Sequence, residues 1–442
     1  MYVYAAINQR KNWFIGGRRI RRIGFMKITL PDNVEMIIDT LTKAGYEAYA
    51  VGGCVRDSIL GKNPKDWDIT TSAFPNEIKV LFPRTIDTGI LHGTVTVMVG
   101  KEGYEITTYR IDGEYEDARH PKEVLFTSNL QLDLERRDFT INAMAYNHQD
   151  GLVDLFNGEE DLENGRLRCV GDAQMRFQED ALRMMRAIRF SAQLNFSMDQ
   201  SVNNAILSLA ENLKKVSSER IQAELMKILE SDYPERITEL YHTRLLIQFW
   251  PELAQQMDQP FELDAIIAQL KILKQPQLRL ALLFLGKTGG KEDANRSEKI
   301  LRRMKFDNET IRKVKQLSYW HLVRPELEAS YFRKMMCEGG ADLFPDYFFI
   351  QEAKVQVLDE KNALCLKSWI QGARIIWEEI LNNQDCYSIR QLAITGEDVI
   401  ALGIKQGKQV GEVLNFLLLQ VMEDPSKNEK EYLCHQVKEF ME

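Results

Sequence analysis

The sequence feature that most constrains this chain is a glycine pair, Gly52-Gly53, with two aspartates, Asp66-Trp67-Asp68, beginning thirteen residues later. Residues 46–51 form a short β-prone run, and residues 55–61 read as a helical turn closed by Gly61, so the local order is strand, glycine turn, helix. Glycine has no Cβ, which lets the backbone approach a phosphate. The helix start offers N–H donors, and the Arg56 guanidinium can fork onto phosphate oxygens. In an extended segment, side chains alternate between faces, so Asp66 and Asp68 share one face while Trp67 and Ile69 take the other. Two converging carboxylates suit Mg2+, which is commonly held by one or two carboxylates plus substrate phosphate oxygens. Such an ion can activate a hydroxyl and neutralise a leaving group. A bare glycine pair is an ordinary turn, and a lone D-x-D after Asn63-Pro64 is a charged one. Together they point to metal-assisted nucleotidyl transfer from a triphosphate.

The whole run 51–68 resembles the first signature of the polymerase-β-like nucleotidyltransferases, specifically the class II tRNA nucleotidyltransferases. Arg136-Arg137-Asp138-Phe139-Thr140-Ile141-Asn142-Ala143-Met144-Ala145 resembles the family's second signature, and Glu179-Asp180-Ala181-Leu182-Arg183 its nucleotide-selecting motif. The specific resemblance covers about residues 26–230. It continues more loosely to the C-terminus, on helical pattern and on Leu392-Ala393-Ile394-Thr395-Gly396-Glu397-Asp398.

The resemblance implies an α+β fold: a polymerase-β-like head of mixed sheet and helices over 26–170, then an all-α neck (171–230), body (231–320) and tRNA-binding tail (321–442). It implies template-independent addition of C, C and A to the tRNA 3′ end from CTP and ATP, with Mg2+ as cofactor and pyrophosphate released. An A-adding tRNA nucleotidyltransferase or a poly(A) polymerase shares the head motifs. A catalytically silent RNA-binding protein of the same fold is the reading from another class, and the intact Asp66 and Asp68 argue against it.

Other site residues follow. Glu105, between Tyr104 and Ile106, has the apolar-acid-apolar form expected of a third metal-side carboxylate on a neighbouring strand. Residues 110–121 form a polar, charged stretch that reads as a loop; in the family, a loop here reorganises the nucleotide site for the final adenosine. Arg137 offers a cation to phosphate, and the resemblance implies that Arg137, Asp138 and Asn142 recognise ribose. A helix is expected over 179–194, where 100° per residue gathers Ala181, Met184, Met185 and Ile188 on one side and winds Asp180, Arg183, Arg186 and Arg189 around the other. Asp180 as acceptor and Arg183 as donor suit the Watson–Crick edges of C and A and mismatch G and U. Arg186 and Arg189 are then phosphate or orienting partners. The alternative for Asp180 and Arg183 is an i,i+3 ion pair on a solvated face.

The apolar fraction, 44% of 442 residues, fits several globular domains with substantial cores. No apolar run reaches membrane-spanning length, and no signal-peptide pattern opens the chain, so a cytoplasmic protein without membrane partners is expected. Six scattered cysteines lack C-x-x-C spacing, which speaks against zinc and disulfides. The net charge of -8 is awkward for an RNA binder, because phosphate neutralisation dominates such affinity. Residues 1–25 carry six basic side chains and no acid, leaving 51 basic against 65 acidic elsewhere. This arm stands outside the family's usual start near Met26 and is expected to be dispensable. RNA should meet a local basic stripe on an acidic body.

Overall fold

Ala48, Tyr49, Ala50 and Val51 are all buried, which puts their strand in the interior of the first half of the molecule; a short continuous apolar run is what a strand covered on both faces requires. The computed structural model describes residues 12–15, 18–21, 27–113, 124–258 and 260–441 and divides into two units, Met1–Pro251 and Glu252–Glu442. In the first unit, seven strands form one mixed sheet: β1 (Ala48–Val51), β2 (Ile69–Thr71), β3 (Thr85–Gly89), β4 (Thr94–Val99), β5 (Glu102–Thr108), β6 (Met144–Asn147) and β7 (Gly151–Asp154). Their spatial order is β7-β6-β1-β2-β5-β4-β3. β2 and β5 run parallel, and the other neighbours run antiparallel. The helix Asp32–Lys43 buries Val34, Ile37, Ile38 and Leu41, the spacing that lays one apolar stripe on the sheet.

The expected loop over 110–121 begins as a strand. Arg110–Asp112 pairs antiparallel with Val124–Phe126, Arg110 opposite Phe126; the rest of that loop, residues 114–123, lies outside the described residues. Of the basic arm, Asn12–Ile15 and Arg18–Arg21 pair as a short antiparallel ribbon. The expectation that the arm is dispensable falls on side chains outside the described residues.

Helices take over after Gly171, whose φ of +71° is left-handed. They include Ala173–Glu179, Leu182–Leu194, Gln200–Leu209 and Ser218–Glu230. The second unit is helical among its described residues. One part is built on Phe332, Phe344, Tyr347 and Phe348, all fully buried. Another packs Val399, Val413, Leu417, Val421, Leu433 and Val437. The run 392–398 is an architectural device of this second core. Leu392 and Ile394 are buried, while Thr395 and Asp398 form a reciprocal capping box that opens the helix Gly396–Ala401, satisfying N–H groups the helix itself leaves unpaired. No helix among the described residues is long and apolar enough to cross a membrane.

Candidate active site

The aspartate pair lies just before β2. Residue-by-residue pairing of β2 with β1 starts at Ile69, opposite Ala50, yet the Val51 N–H donates to the Asp68 carbonyl at 3.0 Å, so the hydrogen-bonded ladder already includes Asp68. Ile69 sits beside Ile106 in the parallel pair, which sets Asp68 level with Glu105 on the adjacent strand. Asp66, Asp68 and Glu105 are solvent-exposed. Burial of its surroundings raises the Asp68 carboxyl above the usual carboxylate range; Glu105 and Asp66 raise it further, and Arg137 opposes them. Like charges crowded beside one cation are a fit for a divalent ion. Among the described residues, no three His, Cys, Asp or Glu side chains come together as a metal-holding group, so Asp66, Asp68 and Glu105 are not gathered into one. An open pair of carboxylates suits an ion that completes its shell with water and phosphate oxygens, rather than the four-ligand cage of structural zinc.

The glycine turn stands against this cluster. Gly52 adopts φ +81°, accessible to glycine and costly to other residues, and its N–H donates to the Met144 carbonyl at 3.1 Å. It precedes the helix Gly53–Ile59. A Cβ on Gly52 would meet Arg137 Nη1 at 3.1 Å, so the turn and that guanidinium occupy one place. Arg56 is already engaged: Nε donates to Asp57 Oδ1 at 2.8 Å and Nη1 to Asn142 Oδ1 at 2.7 Å.

From Asn142 a chain of polar contacts runs inward. Asn142 Nδ2 donates to Asp138 Oδ1 at 3.3 Å, and Arg186 Nε donates to Asp138 Oδ2 at 2.6 Å. Burial alone would raise the Asp138 carboxyl, but Arg186 and Arg183 hold it down at about 2. The segment is not the α-helical turn that the Asp138–Asn142 spacing suggests: Thr140–Asn142 is a 3-10 turn entered from extended Phe139. Asp138 is 7% exposed and also accepts from the Phe139 N–H. In this state it organises Asn142 and Arg186, with its oxygens already engaged.

The expected helix over 179–194 is two helices. Ala173–Glu179 ends, Asp180 is extended at φ −138° and ψ 105°, and the next helix starts at Leu182. The cause is local: Asp180 Oδ1 accepts the Leu182 N–H at 3.0 Å, the side-chain competition that places aspartate at helix starts. Asp180 therefore does not share a helix face with Arg183. Nor do the two pair with each other. Arg220 donates to Asp180 Oδ2 at 2.7 Å, while Arg183 donates to Glu179 Oε2 at 2.6 Å and to the Arg136 carbonyl at 2.9 Å. Ala181, Met184, Met185 and Ile188 are fully buried, so the packing side of the helix is as the periodicity has it. Arg189 departs from the outward side: it is 7% exposed, bound to Glu224 and to Gln193, and stacked on Phe190 at 3.8 Å. Its stem follows the apolar side because a buried carboxylate on another helix receives its charge. Arg56 and Arg186 approach the same Phe190 ring at 5.2 and 5.4 Å.

Four residues to which the sequence reading gives no role of their own support this site. Asp133 receives both guanidinia of the Arg136-Arg137 pair, and its i,i+3 and i,i+4 spacing to them is a signal visible in the sequence. Glu179 holds Arg183 at the same i,i+4 spacing. Arg220 and Glu224, one turn apart on Ser218–Glu230, reach Asp180 and Arg189; in sequence they are merely charged positions on an amphipathic helix.

A mixed sheet that carries a glycine turn, two exposed aspartates before one strand and a carboxylate on the next defines the class: this is the head of a polymerase-β-like nucleotidyltransferase. The family model described as Poly A polymerase head domain matches residues 48–168, the probable RNA and SrmB-binding site of polymerase A matches 195–257, and tRNA nucleotidyltransferase domain 2 matches 280–437. The CCA-adding enzyme of Levilactobacillus brevis is 38% identical over 406 residues, spanning 91% of this chain and 96% of that protein; that of Ligilactobacillus salivarius is 35% identical, spanning 92% and 96%. The chain belongs to the CCA-adding enzyme family. Among solved structures, the Bacillus stearothermophilus CCA-adding enzyme in complex with CTP superposes with a TM-score of 0.77 at 30% identity, over 93% of this chain and 98% of that one. The Thermotoga maritima enzyme complexed with tRNA shares the fold, at a TM-score of 0.57 and 21% identity.

Proposed function

We propose that Asp66 and Asp68, with Glu105 beside them, form the metal side of the active site, and that Gly52, Gly53, Arg56 and Arg137 form its triphosphate side. The protein is a metal-dependent nucleotidyltransferase of the CCA-adding family, which completes the 3′ end of tRNA with C, C and A from CTP and ATP without a nucleic-acid template. The observation that supports the residue assignment is that Arg137 lies against the left-handed turn at Gly52 and acts electrostatically on Asp68, which stands level with Glu105 on the adjacent strand. Mg2+ is the ion that fits two open carboxylates, where it supplies activation of the attacking 3′ hydroxyl and charge neutralisation of the departing pyrophosphate.

This chain's own residues do the rest. Arg137 faces the turn with one side of its guanidinium and can bind phosphate oxygens there. Arg56 is pre-aimed by Asn142, and Asn142 by Asp138, so a ribose hydroxyl arriving at Asn142 meets a side chain whose orientation is already fixed. Asp180 and Arg183 read the base edge once Arg220 and Glu179 yield part of their hold. Arg186 orients Asp138, and Arg189 acts from behind through Phe190 as an orienting group. The proposed arrangement along the chain is a head over 26–170, then neck, body and tRNA-binding tail, in a cytoplasmic enzyme.

The test uses tRNA lacking its last three nucleotides, with each NTP alone and with CTP and ATP together. CTP alone should add two cytidines, and both together should add C, C and A and stop. Long adenosine tails, or no use of CTP on this substrate, would select a poly(A) or A-adding enzyme instead.

A further inference from the structure

Asp133 does more than receive the Arg136-Arg137 pair: donors from four residues converge on it. It is fully buried, on the short helix Leu130–Glu135. It accepts from Arg136 Nε at 3.1 Å and Nη2 at 2.8 Å, from Arg137 Nη2 at 3.3 Å, from the Thr70 hydroxyl at 3.2 Å and from the Arg110 backbone N–H at 3.3 Å. Burial works against its charge; Arg137 and Arg136 more than offset this and keep it below the ordinary carboxylate range. A buried carboxylate ringed by donors is a fixed anion, and what it holds is fixed with it.

Three of its donors lead to separate parts of the head. Thr70 lies on β2, two residues beyond Asp68. Arg110 opens the ribbon whose far end leads into residues 114–123. Arg137 stands against Gly52 and lowers the Asp68 carboxyl electrostatically. Arg137 has little else to hold it: its Nε is buried without a hydrogen-bond partner. Its bond to Asp133 is what sets the angle at which this guanidinium meets the turn.

We propose that Asp133 is a positioning residue that fixes Arg137 against the Gly52 turn and ties that arrangement to the metal-side strand and to the base of the 110–126 ribbon. The inference rests on the reading that Arg137 faces the triphosphate. It adds that catalysis depends on an anion that never touches substrate and that one buried group couples three separate segments of the head.

A double-mutant cycle on the full-length enzyme tests it, read as kcat/KM for CTP on tRNA lacking its last three nucleotides. Wild-type addition of cytidine first establishes the activity, so its absence would count against the functional reading and not against Asp133. Asp133→Asn keeps the shape and removes the charge. It should lower kcat/KM by about 10- to 100-fold in the wild-type background but by less than about 2-fold in Arg137→Ala, because the interaction it supports is already gone. A purely structural role would instead give the same fold-loss in both backgrounds, and that outcome overturns the proposal. If Asp133→Asn does not fold, Thr70→Val serves in its place, removing one donor that holds the carboxylate. Its smaller effect, about 3- to 10-fold, should likewise vanish in Arg137→Ala, and persistence of that effect would overturn the proposal.

Discussion

Arg56 and Asn142, eighty-six residues apart in the chain, are joined by a 2.7 Å hydrogen bond from Nη1 to Oδ1. The bond crosses from the glycine-turn helix to the segment leading into β6, so the two sequence signatures of the head are one physical unit before any substrate arrives. Asn142 spends its amide nitrogen on Asp138, which leaves Arg56 aimed by an oxygen that is itself aimed.

Asn142→Leu therefore releases Arg56 and unpairs one donor to Asp138 at once. Hydrogen bonds to charged groups contribute about 1.5–3 kcal/mol each, so KM for CTP should rise by about 10-fold or more, with kcat falling less. Steady-state kinetics on tRNA lacking its last three nucleotides would check this. An unchanged KM would mean that Arg56 is held well enough by Asp57 alone.

How much of this can be read from residues alone depends on the distance over which a signal acts. The turn at Gly52 is legible because φ > 0 leaves few residue types, and β4 because its Thr-Val-Thr-Val run is rich in β-branched residues. The buried side of Leu182–Leu194 follows from its period. The break at Asp180 is hidden because helical periodicity runs through it; what ends the helix is one carboxylate capturing the Leu182 N–H. Arg189 falls on the wrong side of a helical projection because its direction is decided by Glu224, thirty-five residues on, and no local pattern carries that information. The loop over 110–121 rests on polarity alone, which does not reveal that Arg110 opens a strand paired with Phe126.

Asp68 provides a test of charge against stability. Its carboxyl is raised in the fold, first by the desolvation its surroundings impose and then by Glu105 and Asp66. A raised value means that the folded state favours the proton. The contribution to stability is thus fully present below the unfolded pKa and lost as pH rises through the folded one. At neutral pH, ionised Asp68 opposes folding. Asp68→Asn should accordingly melt no lower than wild type at pH 7 in divalent-free buffer, while nucleotidyl transfer is abolished. Added Mg2+ should raise the wild-type melting temperature and leave the variant nearly unmoved. A clear destabilisation of the variant without metal would contradict this account.

Asp138 behaves in the opposite sense. Its carboxyl is held at about 2 by Arg186 and Arg183 in spite of burial, so its contribution is present above the unfolded pKa and lost as pH falls from about 4 through 2. A depression from 3.8 to about 2 corresponds to roughly 2 kcal/mol. Asp138→Asn should cost about that much at pH 7 by denaturant titration, and the gap to wild type should narrow below pH 4. A gap independent of pH would show that shape, and not charge, is what matters at this position.

Base selection is the sharpest test of the neck. Asp180 is held by Arg220 at 2.7 Å, and Arg183 by Glu179 at 2.6 Å, so both of the proposed reading groups are restrained by partners of opposite charge rather than by each other. Such restraint costs some nucleotide affinity but limits the angles from which a base can be engaged. In the proposed reading, a base presenting an amino donor beside a ring acceptor would satisfy Asp180 and Arg183 together. A base with a carbonyl beside an N–H sets acceptor against acceptor and donor against donor, at about 1–3 kcal/mol for each buried group left unpaired. Asp180→Ala and Arg183→Ala should each raise incorporation of U or G relative to C by about 10-fold or more, with a smaller change in triphosphate affinity. Arg220→Ala should fall between them and wild type, because Asp180 keeps its carboxylate but loses its bearing. Sequencing the products of reactions with all four NTPs would measure this, and misincorporation at the wild-type level in all three variants would place base reading elsewhere.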